Sequence, residues 1–114
     1  MDKKVYRKLQ HDFANTTDIL TALGDEKRQA ILMAFLKKES CGGIRVPELT
    51  EITQLSRPAV SHHLKILKDA GILTVKTEGT KNYYSLSHSM DIELEKLKQL
   101  LSNILDILDK KDEW

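Results

Sequence analysis

A chain of 114 residues is about one domain, and its 40% apolar content can furnish a modest core. No apolar run approaches the roughly 20 residues of a membrane span, and the opening MDKKVYRKLQHDF lacks a signal-peptide stretch, so a cytoplasmic protein with no membrane partner is expected. A single cysteine excludes an internal disulfide, and a net charge of +1 excludes a chain that is basic throughout.

Residues 1–22 have helical periodicity, with Val5, Tyr6, Leu9 and Phe13 followed by Ile19, Leu20 and Leu23. The expectation is a helix whose Val5, Leu9 and Phe13 join a dimer interface. Further on, Cys41 lies in SCGG before a short strand at Ile44-Arg45, and the two glycines serve to turn the chain. Its thiol is either inert or a redox site acting through an intersubunit or mixed disulfide, since no second cysteine exists to pair with it.

PELTEIT, from Pro47 to Thr53, is expected to form a short helix with Leu49 and Ile52 inward, and Gln54-Leu55-Ser56 to turn into a second helix. Ser56 is a good N-cap, Pro58 sits in the first turn where no backbone donor is lost, and Gly71 ends the helix after Ala70. At 100° per residue, Val60, Leu64 and Leu67 fall on one side with Ala59, Ile66 and Ala70 beside them. Arg57, Pro58, Ser61, His62, Lys65 and Lys68 fall on the other. Residues 47–70 thus read as a helix-turn-helix. The polar side is either simply solvated or a surface that enters the major groove of double-stranded DNA.

In the DNA reading, Arg57, Ser61 and His62 occupy the N-terminal half that makes base contacts. Arg57 can pair bidentately with a guanine edge, and Ser61 can donate or accept at a base or a phosphate. His63, at the margin of the apolar side, is expected to pack or cap.

From 72 to 86 the run ILTVKT, the turn EGTK and NYYSL predict a β-hairpin wing, with Gly79 providing the turn's unusual backbone angle. Lys76, Lys81 and Asn82 lie at or near its tip. They suit either phosphate tracking or the solubility that exposed lysines ordinarily confer. Between Ser56 and Leu86 five cations face two anions, so positive charge is concentrated locally.

From 90 to 109, Leu94, Leu97, Leu101, Ile104 and Leu108 recur at intervals of three and four, with Leu100, Leu105 and Ile107 widening the stripe. Such a stripe exceeds what one small core requires and predicts a homodimer. Seven anions against four cations from Asp91 onward set this end apart from the basic hairpin. A two-fold dimer would set two recognition helices on an inverted repeat about one helical turn apart.

These segments together resemble the ArsR/SmtB family of bacterial winged-helix transcriptional regulators. LGDEKRQAILMAFL at Leu23 to Leu36 is similar to the family's leucine-acid-arginine-isoleucine-leucine helix. VSHHLKILKDAGIL with EGTKNYYSL is similar to its recognition helix and wing. The resemblance spans about two thirds of the chain. It implies a mainly α fold with a small β-hairpin wing, a winged helix-turn-helix dimerising through its terminal helices. It further implies an operator-binding homodimer, usually a repressor released by an inducer.

By position Arg57, Pro58, Ser61 and His62 correspond to the family's DNA-facing residues, with Ser56, Lys65, Lys76, Lys81 and Asn82 completing the expected surface. Pro58 departs from the family's more usual small polar residue and removes a hydrogen bond there. Many relatives sense metals through cysteines in the first helix of the helix-turn-helix, or through acid and histidine ligands on the terminal helix. Ile44 to Thr53 has no cysteine, Met90 to Leu108 has no histidine, and Leu101 and Ile104 cannot follow His88 as ligands. No metal and no cofactor are expected, and the inducer is unassigned.

His11, Asp12 and the serines have no spacing that would nominate a nucleophile with its base, so an enzyme is not expected. His11 and His88 receive no role. The alternatives to a DNA-binding repressor are a winged-helix protein-interaction module and a redox-responsive repressor acting through Cys41.

Overall fold

The computed structural model describes residues 1–37 and 43–110, so Cys41 and any redox role for it lie outside the described residues. Among the described residues, five helices and one hairpin follow in the order α1 (Lys3–Leu23), α2 (Glu26–Lys37), α3 (Val46–Thr53), α4 (Arg57–Asp69), β1 (Leu73–Glu78), β2 (Lys81–Leu86) and α5 (Met90–Lys110). No helix among the described residues is long and apolar enough to cross a membrane.

Local chemistry sets most boundaries. Asp2 caps α1 by accepting from Lys4 N at 2.9 Å, and Asp25 accepts from Arg28 N at 3.0 Å at the start of α2. The turn after α3 closes through Gln54, the one non-glycine residue with positive φ among the described residues, at 58°. Ser56 caps α4, accepting from Ala59 N at 3.3 Å.

At the far end of α4, Gly71 adopts φ +79°, a backbone conformation that calls for glycine, and a Cβ there would also lie 3.0 Å from Glu93 Cγ and push that side chain aside. In the hairpin the register pairs Glu78 with Lys81, leaving Gly79 and Thr80 as the turn. Gly79 at the first central position with φ +63° has the backbone signature of a type II′ turn.

The core is a single cluster drawn from α1 to β1, including Ile19, Ile31, Leu49, Leu64, Leu67 and Ile72. Ile44 extends the hairpin by one rung, exchanging both backbone bonds with Tyr84 at 2.7 and 2.9 Å. Where a short strand is expected at Ile44-Arg45, the structure has this single bridge at Ile44, and Arg45 already forms the N-cap of α3.

Ile52 departs from expectation: it is 57% exposed, while Thr53 is buried. Val46, Leu49 and Thr53, spaced three and four apart, share the inward face, and Ile52 is rotated away from it by about a quarter turn. Thr53 satisfies its hydroxyl by donating to Leu49 O at 2.7 Å.

The terminal stripe also differs from the single seam predicted, because it divides into two sides. α5 packs chiefly on α1, and the two run antiparallel: Asp12 meets Asn103, and the start of α1 shares a cleft of 370 Å³ with Ile107 and Lys110. Leu100 is buried, Leu97 packs against the core, and Ile104 and Ile107 are half-buried. Leu94, Leu101, Leu105 and Leu108 stay exposed.

On α1, Ile19 belongs to the core and Leu9 is half-buried, whereas Val5, Tyr6, Phe13 and Leu20 are exposed. The molecule measures 58 × 24 × 24 Å with a radius of gyration of 17.5 Å, against about 13 Å for a compact chain of this length. A paired-helix arm bearing uncovered apolar side chains accounts for that elongation.

Candidate nucleic-acid interface

The two faces of α4 separate as its periodicity requires. Val60, Leu64 and Leu67 are fully buried, and Arg57, Pro58, Ser61, His62, Lys65 and Lys68 are exposed. Arg57, Ser61 and Lys65 are spaced four apart, as are Pro58 and His62, so all five share one side of the helix. Ser56 spends one of its two lone pairs on the cap and keeps its hydroxyl proton available. With Pro58 at the second helical position, the first turn presents few backbone donors and leaves contact to the side chains.

The charges on this face differ in freedom. Lys65 donates to Asp69 Oδ2 at 2.7 Å, which raises the lysine's pKa and lowers that of the aspartate. Both groups are exposed, so the pair is weak and readily exchanged for a phosphate. Arg57 forms no ion pair among the described residues.

On the hairpin, directly opposed residues share a face, which places Lys76, Glu78, Lys81 and Tyr83 together. The other face turns Leu73, Tyr84 and Leu86 to the core. Lys76 pairs with Glu78 at 3.3 Å, so Lys81 is the tip cation without an ion pair among the described residues. Asn82 is partly committed, its Oδ1 accepting from Thr77 Oγ1 at 2.8 Å.

One residue missed by the sequence reading joins this surface. The Arg45 guanidinium lies over the Tyr83 ring, 6.0 Å from its centroid, bringing a further cation to the hairpin face that carries Lys76 and Lys81. Its neighbour Ile44 bonds to Tyr84, and that pairing, whose partner strand no local pattern names, is what carries Arg45 there. His63 stands apart from His62 in function, being half-buried and accepting from Arg28 Nη1 at 3.2 Å, in keeping with the packed role expected. Burial first, and then Arg28 and His62, hold its pKa below the usual histidine value, with Asp25 opposing.

Residues 25–75, from the start of α2 into β1, match the model of the arsR family of bacterial regulatory proteins. The arsenical resistance operon repressor of Staphylococcus xylosus is 34% identical over 101 residues, covering 89% of this chain and 86% of that protein. Its counterpart from Staphylococcus aureus is 35% identical over 78 residues, covering 68% and 71%. Among solved structures, an ArsR-like transcriptional regulator from Rhodococcus sp. RHA1 superposes with a TM-score of 0.70 at 24% identity, covering 87% of this chain and 84% of its own, a likeness of fold. With a two-faced helix, a basic hairpin and these relatives, the chain belongs to the arsR family, winged helix-turn-helix regulators of transcription that bind DNA and are not enzymes.

Proposed function

We propose that the protein is a homodimeric repressor that binds an inverted-repeat operator, reading bases with α4 and holding phosphates with the hairpin. The observation that carries this reading is the uninterrupted exposed face of Arg57, Pro58, Ser61, His62 and Lys65 on a helix whose opposite face is fully buried. Arg57 faces a guanine edge, Ser61 and His62 contact neighbouring bases or phosphates, and Ser56 and Lys65 flank them. Lys76, Lys81, Asn82 and Arg45 follow the backbone on the hairpin side.

The chain divides by role into 1–22 and 90–109 for dimerisation, 47–70 for the helix-turn-helix and 72–86 for the wing. Exposed Val5, Phe13, Leu94, Leu101 and Leu108 support the dimer, because an arm carrying so many uncovered apolar side chains is poorly accommodated in water. Leu9, Leu97 and Ile104, partly covered within the chain, back that surface from behind.

Regulation proceeds without the family's familiar metal ligands. Ile44 to Thr53 holds no thiol, and Met90 to Leu108 no imidazole. A soft ion or metalloid favours several thiolates, and one protomer offers only Cys41. A cytoplasmic location follows from the proposed work on DNA.

The test is a fluorescence anisotropy titration of inverted-repeat DNA from the region upstream of the protein's own gene, against random DNA, at two salt concentrations. Tighter binding of the repeat, weakening steeply with salt, is expected. Equal affinity for both DNAs at every salt concentration would sink the reading.

A further inference from the structure

One guanidinium joins the dimerisation arm to the recognition helix. Arg28, in the first turn of α2, donates from Nη2 to Thr21 O at 2.7 Å and from Nε to Ala22 O at 2.9 Å. These carbonyls belong to the last turn of α1, where few backbone donors remain, and Thr21 O accepts in addition from the capping Gly24 N at 3.3 Å. From Nη1 the same side chain donates to His63 Nδ1 at 3.2 Å, in the middle of α4. Asp25, just before α2, caps that helix through Arg28 N at 3.0 Å and brings its Oδ2 within 4.0 Å of His63 Nδ1. Groups from α1, α2 and α4 therefore meet at one half-buried node.

The donor inventory fixes the protonation state of this node. Arginine has five N–H donors and no acceptor, so its bond to Nδ1 needs that nitrogen unprotonated and the imidazole neutral. A proton on Nδ1 would remove the bond and set an imidazolium against a guanidinium. The charged groups around His63 are Asp25 ahead of α2, which favours its protonation, and Arg28 on α2 and His62 on α4, which oppose it. α1 contributes to the node only the two backbone carbonyls.

We propose that Arg28 is a positioning residue for DNA recognition, and that its bond to neutral His63 is a proton-sensitive lock holding α4 at a fixed attitude to α1. In a two-fold dimer built on α1 and α5, that attitude sets the separation of the two recognition helices. The lock therefore acts on the full inverted repeat more than on one half-site. The proposal rests on the dimeric DNA-binding reading above.

The sign of the pH response separates the lock from simple charge attraction. An imidazolium near DNA tightens binding by attracting phosphates, whereas breaking the lock loosens it. His63→Gln is the reference, because its amide oxygen can accept from Arg28 at any pH. Affinities of wild type and His63→Gln for the full repeat and for a single half-site would be measured at about pH 7.5 and about pH 5, a window carried below ordinary histidine titration because burial lowers the pKa of His63. Contact of His62 with DNA is present in both proteins, and repeating the comparison in a His62→Gln background removes its coupling to His63.

The expected result is near-equal affinity at the higher pH. At the lower pH wild type should be weaker than His63→Gln on the full repeat by about three- to tenfold, a single titration giving at most about tenfold per pH unit. The half-site should show a smaller loss. A ratio that stays constant, or wild type tightening relative to the variant on acidification, overturns the lock. If neither protein prefers the repeat over random DNA at the higher pH, the DNA-binding reading falls and the lock with it. Should His63→Gln fail to fold, nitrogen chemical shifts of His63 in the wild-type protein decide: an unprotonated Nδ1 at neutral pH is expected, and a protonated one overturns the proposal.

Discussion

Asn103 donates from Nδ2 to Asp12 Oδ2 at 2.9 Å, tying together α5 and α1 across 91 residues of sequence. The bond is part-buried and lies toward the outer part of the helix pair, where the chain's own core does not reach. It helps fix the antiparallel register that decides which apolar side chains stay uncovered. Replacing Asn103 with Ala should cost about 1 kcal/mol. That corresponds to a melting temperature lower by about 4 °C, measured at fixed protomer concentration because the proposed dimerisation would feed into stability. An unchanged melting temperature would show that packing alone holds the arm.

Leu101 and Leu108 are 51% and 55% exposed and lie seven residues apart on α5. The double substitution Leu101→Glu, Leu108→Glu should yield a monomer by sedimentation while helix content by circular dichroism stays close to wild type. Burying two carboxylates against an apolar partner surface has no compensating pair. A dimer that survives both changes refutes the placement of the interface.

Arg57→Ala and Lys81→Ala should fail in different ways. Loss of Arg57 should weaken the operator by about 1–3 kcal/mol while leaving random DNA much less affected, because a bidentate base contact carries sequence information. Loss of Lys81 should weaken both DNAs alike and reduce the slope of log affinity against log salt by about 1. If both variants bind the operator as wild type does, the assigned surface is wrong.

Leu64 is fully buried beneath the exposed face of α4. Leu64→Ala should destabilise the fold by about 2–5 kcal/mol, measured by denaturant unfolding. A cost well below that range would mean the recognition helix is not anchored through its apolar side.

Folding stability should fall on mild acidification through His63. Its pKa is lowered in the folded protein, so the unfolded chain takes up the proton first. Stability is unaffected well above the ordinary histidine value of 6.5 and declines as pH drops below it toward the folded-state value. His63→Gln should flatten the decline, and urea midpoints across that range measure it. A decline of equal size in the variant would assign the effect elsewhere.

The recognition helix was legible from residue pattern because its causes are local. Ser56 caps it, Val60, Leu64 and Leu67 repeat at helical spacing, and Gly71 ends it. The hairpin was legible for the same reason, through Gly79 between two strand-forming runs. Ile52 was misread because a helix of eight residues offers too few turns to fix its inward face, and the stripe of Val46, Leu49 and Thr53 includes a threonine that counts as polar until its hydroxyl is seen bonded to Leu49 O. The division of α5 into a covered side at Leu97 and Leu100 and an open side at Leu101 and Leu108 depends on where α1 lies, which no spacing within α5 states.

Arg28 marks the same limit. In sequence it is one basic residue at the start of a helix. In the fold its fork reaches Thr21, Ala22 and His63, seven, six and thirty-five residues away. Hydrophobic period, caps and turn glycines act within a few residues, so they sufficed for the winged helix-turn-helix and the exposed polar face of α4. Register between α1 and α5, the approach of Arg45 to Tyr83 and the node around Arg28 are meetings of distant segments, and they exist only once the core has packed.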